Sequence, residues 1–203
     1  VTYWYTATDS IGQVTVGDTQ SYTAGESPDP EYRSIWADTW QQNSIHSPAI
    51  TDNFITTCRE NNINTVMVEI RKVGDAYYNS NIEPRATNIL GGPDYDPLQD
   101  TIDRSHDHSK RIHVHAWFVM HRISRGESLS PQHVLSQHPE FRMEDYDGNT
   151  TGGGNTYLDP GHPGTVDHNV EVIVDCVQNY DIDGINLDYI RYPEASGDWG
   201  YNP

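Results

Sequence analysis

The stretch Arg111-Ile112-His113-Val114-His115-Ala116-Trp117-Phe118 decides the fold. Its residues alternate with the period of two that puts successive side chains on opposite sides of a strand. Ile112, Val114, Ala116 and Phe118 share one side, and His113, His115 and Trp117 the other. Three further segments repeat the pattern. Residues 65–71 set Val66, Val68 and Ile70 against Met67, Glu69 and Arg71. Residues 184–189 set Ile185 and Leu187 against Gly184, Asn186 and Asp188, and residues 32–39 set Ile35 and Ala37 against Trp36 and Asp38. In a doubly wound sheet, helices cover both faces and the strands are apolar on both. Here each strand has one apolar face and one that turns polar toward its C-terminal end. That is the pattern of a (β/α)8 TIM-type barrel, whose apolar strand face meets the helices while the other converges on the active-site mouth. No glycine-rich phosphate loop follows the first strand, which counts against a Rossmann-type sheet.

Helices are expected between the strands. Ser47-Pro48 supplies an N-cap and an N1 proline ahead of Ile50, Phe54 and Cys58, and Asp96-Pro97 repeats that start ahead of Leu98 and Ile102. A third helix is expected to present Val166, Val170, Ile173, Val174 and Val177 on one face. Four strands account for about the first four βα units of a barrel, so the sequence reads as the N-terminal half of a barrel domain over residues 32–203 and as part of a longer chain. Residues 1–27 read as a short β-rich segment, the end of an immunoglobulin-like sandwich, and residues 28–31 as a linker.

Composition narrows the function classes. The 203 residues carry 12 Lys and Arg against 30 Asp and Glu, a net charge of −18. That excludes a general nucleic-acid binder, which needs a positive surface. No apolar run approaches the roughly 20 residues needed to span a bilayer, and no basic-then-apolar leader opens these residues. Abundant acid with few lysines suits an extracellular or cell-surface setting. Cys58 and Cys176 fall in different helices and read as buried thiols.

Asp38, Glu69, Arg71, His115, Trp117, Asn186 and Asp188 are all expected at the inward C-terminal ends of strands. Carboxylates around an aromatic-lined mouth suit glycoside hydrolysis, in which one acts at the anomeric carbon and another protonates the leaving oxygen. Asp188 stands out because Ile185, Leu187, Tyr189 and Ile190 imply a buried neighbourhood; Glu69 and Asp38 are the further catalytic candidates. His113 and His115 point the same way and with Asp38 or Glu69 could ligate a metal, but His-x-His alone fixes no ligand set, and the reading adopted has neither metal nor cofactor. His106 and His108 are expected to face solvent, and the acidic turns at Asp94-Tyr95-Asp96 and Asp145–Asn149 to be plain turns rather than calcium loops.

Five segments resemble, in order, those of the glycosyl-hydrolase-like family related to family 10. They are Ser34-Ile35-Trp36-Ala37-Asp38-Thr39, Arg71-Lys72-Val73-Gly74-Asp75-Ala76-Tyr77-Tyr78, Val114-His115-Ala116-Trp117-Phe118, Leu158-Asp159-Pro160-Gly161-His162-Pro163, and the run from Tyr180 to Pro193. Val119-Met120-His121-Arg122 departs from the family's pattern. The resemblance implies a TIM-type barrel acting on polysaccharide, peptidoglycan glycan strands included, with Asp188 as catalytic carboxylate. It also implies a sugar site lined by Arg71, Asp75, His115, Trp117 and Arg191, with the general acid often supplied by later strands; Trp36 and Tyr189 are further expected substrate-binding residues. The alternative is a non-catalytic surface or assembly protein that reuses the scaffold, its exposed edges met by another copy or by the rest of its own chain.

Overall fold

A computed structural model describes short strands within residues 2–21, and residues 31–106, 109–195 and 197–201. The chain divides into two compact units, Val1–Tyr32 and Arg33–Pro203. In the first, β1 (Thr2–Tyr3) pairs antiparallel with β4 (Gln20–Ser21), and β2 (Thr6–Thr8) with β3 (Val14–Val16). The expected linker lies, apart from Glu31, outside the described residues.

The second unit is built on a four-stranded parallel sheet: β5 (Ser34–Ala37), β6 (Thr65–Arg71), β7 (His113–Val119) and β10 (Gly184–Asp188). The spatial order follows the chain without reversal, β5-β6-β7-β10, whereas a doubly wound sheet reverses at its switch point. Helices α1 (Pro48–Glu60), α2 (Pro97–His106) and α4 (Pro163–Asn179) return the chain between strands. Ser47 caps α1 by accepting from the Ile50 N–H, and Asp96 caps α2 by accepting from Gln99. One core joins Ile55 and Cys58 of α1, Leu98 and Ile102 of α2, and Val172 and Cys176 of α4 to Val66, Val68, Ile70, Val114, Ala116 and Phe118. The helices therefore cover the apolar face of the two central strands, β6 and β7, and the other face is left for chemistry. The two thiols sit in that core, where burial pushes Cys58 up to about 11 and Cys176 to about 12.

The segment between β7 and α4 is built rather than loose. β8 (Arg122–Ser124) pairs with β9 (Thr156–Tyr157), α3 (Val134–Gln137) leads into a 3-10 turn at Pro139–Phe141, and Ile123, Val134, Leu135, Phe141 and Leu158 close a second small core.

Three expectations are corrected. Of the expected face of α4, Ile173 packs against the core, but Val166, Val170, Val174 and Val177 are exposed to between 42 and 53 %, while Thr165, Asn169, Val172 and Cys176 turn inward. The helix is rotated by one residue, about 100°. Polar bonds set that rotation. His168 reaches Glu83, Asp175 accepts from Ser80 and Asn81, and the Tyr78 hydroxyl donates to the Val172 carbonyl. Ile185 and Leu187 lie on the helix side of β10 but are uncovered, at 42 % and 43 % exposure, and so is Ile35 on the opposite edge strand. His106 does not face solvent: it bonds Asp183 at 2.8 Å and lies 3.3 Å from Asp181. His108 is outside the described residues.

Candidate active site

The polar sheet face converges at the C-terminal strand ends, and each backbone irregularity there re-aims a side chain. Asp188, on the last residue of β10, accepts from the Trp117 indole N–H at 3.2 Å and from the Tyr189 amide at 2.7 Å. Trp117 in turn packs edge-to-face on Trp36, centroids 4.7 Å apart. Tyr189 takes a left-handed φ of 53°, uncommon for a bulky residue. Its hydroxyl accepts from Arg122 at 2.5 Å, and the Arg122 and Arg191 guanidinium groups lie 3.9 and 4.6 Å from its ring centroid. Arg191 also pairs with Glu194. The His115 ring rests on Gly184, where a Cβ would come within 2.8 Å of it.

Glu69 is buried beneath the loop that follows β5. Its Oε2 accepts from the Thr39 N–H at 2.8 Å and the Thr39 hydroxyl at 2.9 Å. Burial raises its carboxyl above the usual range, against the pull of Thr39 and Lys72. Asp38 folds that loop: its Oδ1 accepts from the Trp40 and Gln41 amides at 2.8 and 3.1 Å, an Asx turn that presents Trp40 at the mouth.

Arg71 does not line the mouth. The register of β6 against β7 slips between Glu69 and Arg71, so that Glu69 pairs with Trp117 but Arg71 with Phe118. This bulge carries Arg71 to the helix side. There it is fully buried, clamping Glu83 through two bonds of 2.7 and 2.6 Å and donating to the Val119 and Met120 carbonyls. Burial alone would raise the Glu83 carboxyl, but Arg71 and His168 hold it at about 2.

Beside the mouth opens a pocket of about 290 Å³, lined among others by Trp40, Lys72, Asp75, Asn88, Glu127 and His133. Lys72 lies 4.7 Å from the Trp40 ring and donates to the Tyr77 hydroxyl, which donates to Asn88. Burial lowers its ammonium below the ordinary lysine range and raises the Asp75 carboxyl. Of the pocket residues only Asp75 is foreseen in the sequence; Trp40, Lys72, Asn88 and Glu127 lie past the strand ends, where periodicity gives no signal. The histidines do not meet a carboxylate pair. His113 lies 3.4 Å from Asp183, His115 sits on Gly184, and the Asp38 and Glu69 oxygens are held by the loop. Among the described residues no group of three or more His, Cys, Asp or Glu is placed to hold a metal.

Aromatic rings beside a carboxylate at a barrel-type mouth suit sugar chemistry, and sequence comparison agrees. Residues 31–202 match the family model described as Glycosyl hydrolase-like 10. The chain belongs to that family. It is 33 % identical over 144 residues to glycosyl hydrolase DigH of Escherichia coli K12, and 32 % over 139 residues to glycosyl hydrolase YngK of Bacillus subtilis. These matches take in 66 % and 64 % of this chain but 32 % and 26 % of those proteins, so the chain spans about a third of their length or less. Among solved structures, a hypothetical protein of Ruminiclostridium thermocellum superposes with a TM-score of 0.59 at 20 % identity, over 79 % of this chain and 78 % of that one. A maltogenic α-amylase of Thermotoga neapolitana gives 0.54 at 16 % identity, over 78 % of this chain and 39 % of the amylase. The family chain is thus an α/β unit with a parallel sheet that matches a fraction of larger TIM-barrel glycosidases. Among the described residues no helix is long and apolar enough to cross a membrane.

Proposed function

We propose that this unit is the first half of a (β/α)8 barrel in a glycoside hydrolase that acts on a polysaccharide, peptidoglycan-type glycan strands included, outside the cell or at its surface. The observation that carries the reading is the setting of Asp188. Its carboxylate is held by the Trp117 indole and the Tyr189 amide at the C-terminal strand ends, beside aromatic faces able to stack on sugar rings. In this role Asp188 attacks or stabilises the anomeric carbon, and Trp36, Trp117, His115 and Tyr189 form the walls around it. Glu69, buried, and Asp38, half-buried, hold the loop that carries Trp40. Asp75 and Arg191 contact the chain further out.

The uncovered edges fit the same reading. Ile35 on one edge strand, Ile185 and Leu187 on the other, and the valine stripe of α4 are apolar surfaces that four further βα units would cover. Those units would also bring the general acid, and the distance from it to Asp188 would decide between retention and inversion. The test is hydrolysis of polysaccharides by the full-length protein and its Asp188→Asn variant. Loss of at least about a hundredfold in kcat is expected; turnover at the wild-type rate would remove Asp188 from the mechanism.

A further inference from the structure

The excess of acid makes any cation without a carboxylate conspicuous. With 30 acidic residues against 12 basic ones, Arg71, Arg104, Arg111 and Arg191 each carry a carboxylate partner. Arg59 and Arg85 instead donate to backbone carbonyls, whereas Lys72, Arg122 and Arg125, which among the described residues have no carboxylate within bonding distance, gather around one ring. They lie 4.7, 5.6 and 4.5 Å from the centroid of Trp40. Trp40, Lys72 and Arg122 each follow the C-terminal end of a different parallel strand within three residues, and Arg125 follows β8, so the cluster is assembled at the mouth by several elements.

The three cations are not equivalent. Lys72 is buried, and four carboxyl groups, those of Asp75, Glu69, Glu127 and Asp38, stand around it, so its charge is more than offset. Those of Arg122 and Arg125 are not. Arg122 spends one N–H on the Tyr189 hydroxyl and lies flat over that ring, and its Nε is enclosed without a hydrogen-bond partner. Arg125 is exposed, and the nearby Glu127 carboxylate accepts from its backbone N–H. Two guanidinium groups with free donors lie beside an indole that is 38 % exposed at the rim of a pocket of about 290 Å³, and together they make an anion clamp.

We propose that Trp40, Arg122 and Arg125 form a subsite for a sugar ring bearing an acidic substituent, a carboxylate or a sulfate ester. The sugar ring packs against the exposed part of Trp40 and its anion takes the open guanidinium donors. Of the net charge of −18, what lies beyond about 8 Å is screened at physiological salt, and the acidic groups nearest the cluster are the four that face Lys72 rather than the two arginines. The inference rests on the reading that the mouth takes sugars, and it adds the charge of the glycan.

The test is calorimetric titration of the full-length protein with three matched gluco-oligosaccharides: neutral, oxidised to the carboxylate at C6, and sulfated at C6. An acidic form binding about tenfold more tightly than the neutral one is expected, from one charge-assisted hydrogen bond. The tighter of the two acidic forms identifies the anion. In Arg125→Gln, whose side chain is exposed and outside the core, the preference falls toward parity at an unchanged melting temperature, and in Arg122→Gln it falls likewise. Equal affinity for all three sugars, or a preference that survives both substitutions, overturns the subsite and leaves the hydrolase reading standing. Binding of none of them removes the sugar reading and the subsite with it.

Discussion

Replacing Glu83 by Gln separates two accounts of Arg71. If Arg71 lined the sugar site, as strand alternation suggests, losing Glu83 would alter sugar affinity and leave stability almost unchanged. In the structure both side chains are sealed from solvent and joined by two short bonds. Removing one partner of a buried pair leaves an uncompensated charge and typically costs about 3–5 kcal/mol. The Glu83 carboxyl gives a second route to the figure. It is held at about 2 against an ordinary 4.5, and at about 1.36 kcal/mol per unit that difference is worth about 3 kcal/mol. A unit of this size should then melt about 6–12 °C lower. The pH dependence follows with a definite sign. A carboxyl depressed on folding stabilises fully above its unfolded value near 4.5, and the contribution is lost as pH falls through about 2. Urea unfolding of wild type and Glu83→Gln should therefore differ most above pH 5 and converge toward pH 2. The double variant Arg71→Met/Glu83→Leu should regain most of the loss, since it strands no charge. A Glu83→Gln protein within about 0.5 kcal/mol of wild type at pH 7, with weakened sugar binding, would refute the sealed clamp and return Arg71 to the mouth.

Two further outcomes can be measured in the same way. Gly184→Ala drives a Cβ to within 2.8 Å of the His115 ring and should cost about 1–3 kcal/mol by overpacking; the pair Gly184→Ala/His115→Ala should cost less than the sum of its parts in urea unfolding. Glu69→Gln removes a carboxylate whose ionised form burial disfavours. Wild-type stability attributable to this group is present below its unfolded value and lost as pH rises through the elevated folded one. The variant should therefore gain on wild type as pH rises to neutrality and match it near pH 4, and a loss at pH 7 would count against the buried setting.

What the sequence reveals and what it hides divide along a physical line. The four parallel strands are readable because alternation reports which face meets the helices, and Val66, Val114, Ala116 and Phe118 lie in the core where the pattern puts them. The rotation of α4 is not readable. Its inward face is mixed, with Thr165, Asn169 and Asp175 beside Val172 and Cys176, and hydrophobicity favours the neighbouring stripe of valines. Bonds from His168 and Asp175 to residues far along the chain select the other.

The mouth is hidden for a related reason. Its chemistry begins where strand periodicity ends, and its side chains are aimed by departures from regular backbone. The Asx turn of Asp38 presents Trp40, the bulge after Glu69 sends Arg71 to the helices, and the left-handed Tyr189 brings its ring against Arg122. A pattern argument assumes regularity, so it misplaces Arg71 and passes over Trp40 and Arg122 while locating Asp188 on the last regular position of its strand. Bulges and strained backbone concentrate beside functional sites because they re-aim side chains that a regular ladder would fix. Their gathering at the C-terminal ends of β5, β6 and β10 is thus an indication of function separate from the Asp188 carboxylate, and it points to the same end of the sheet.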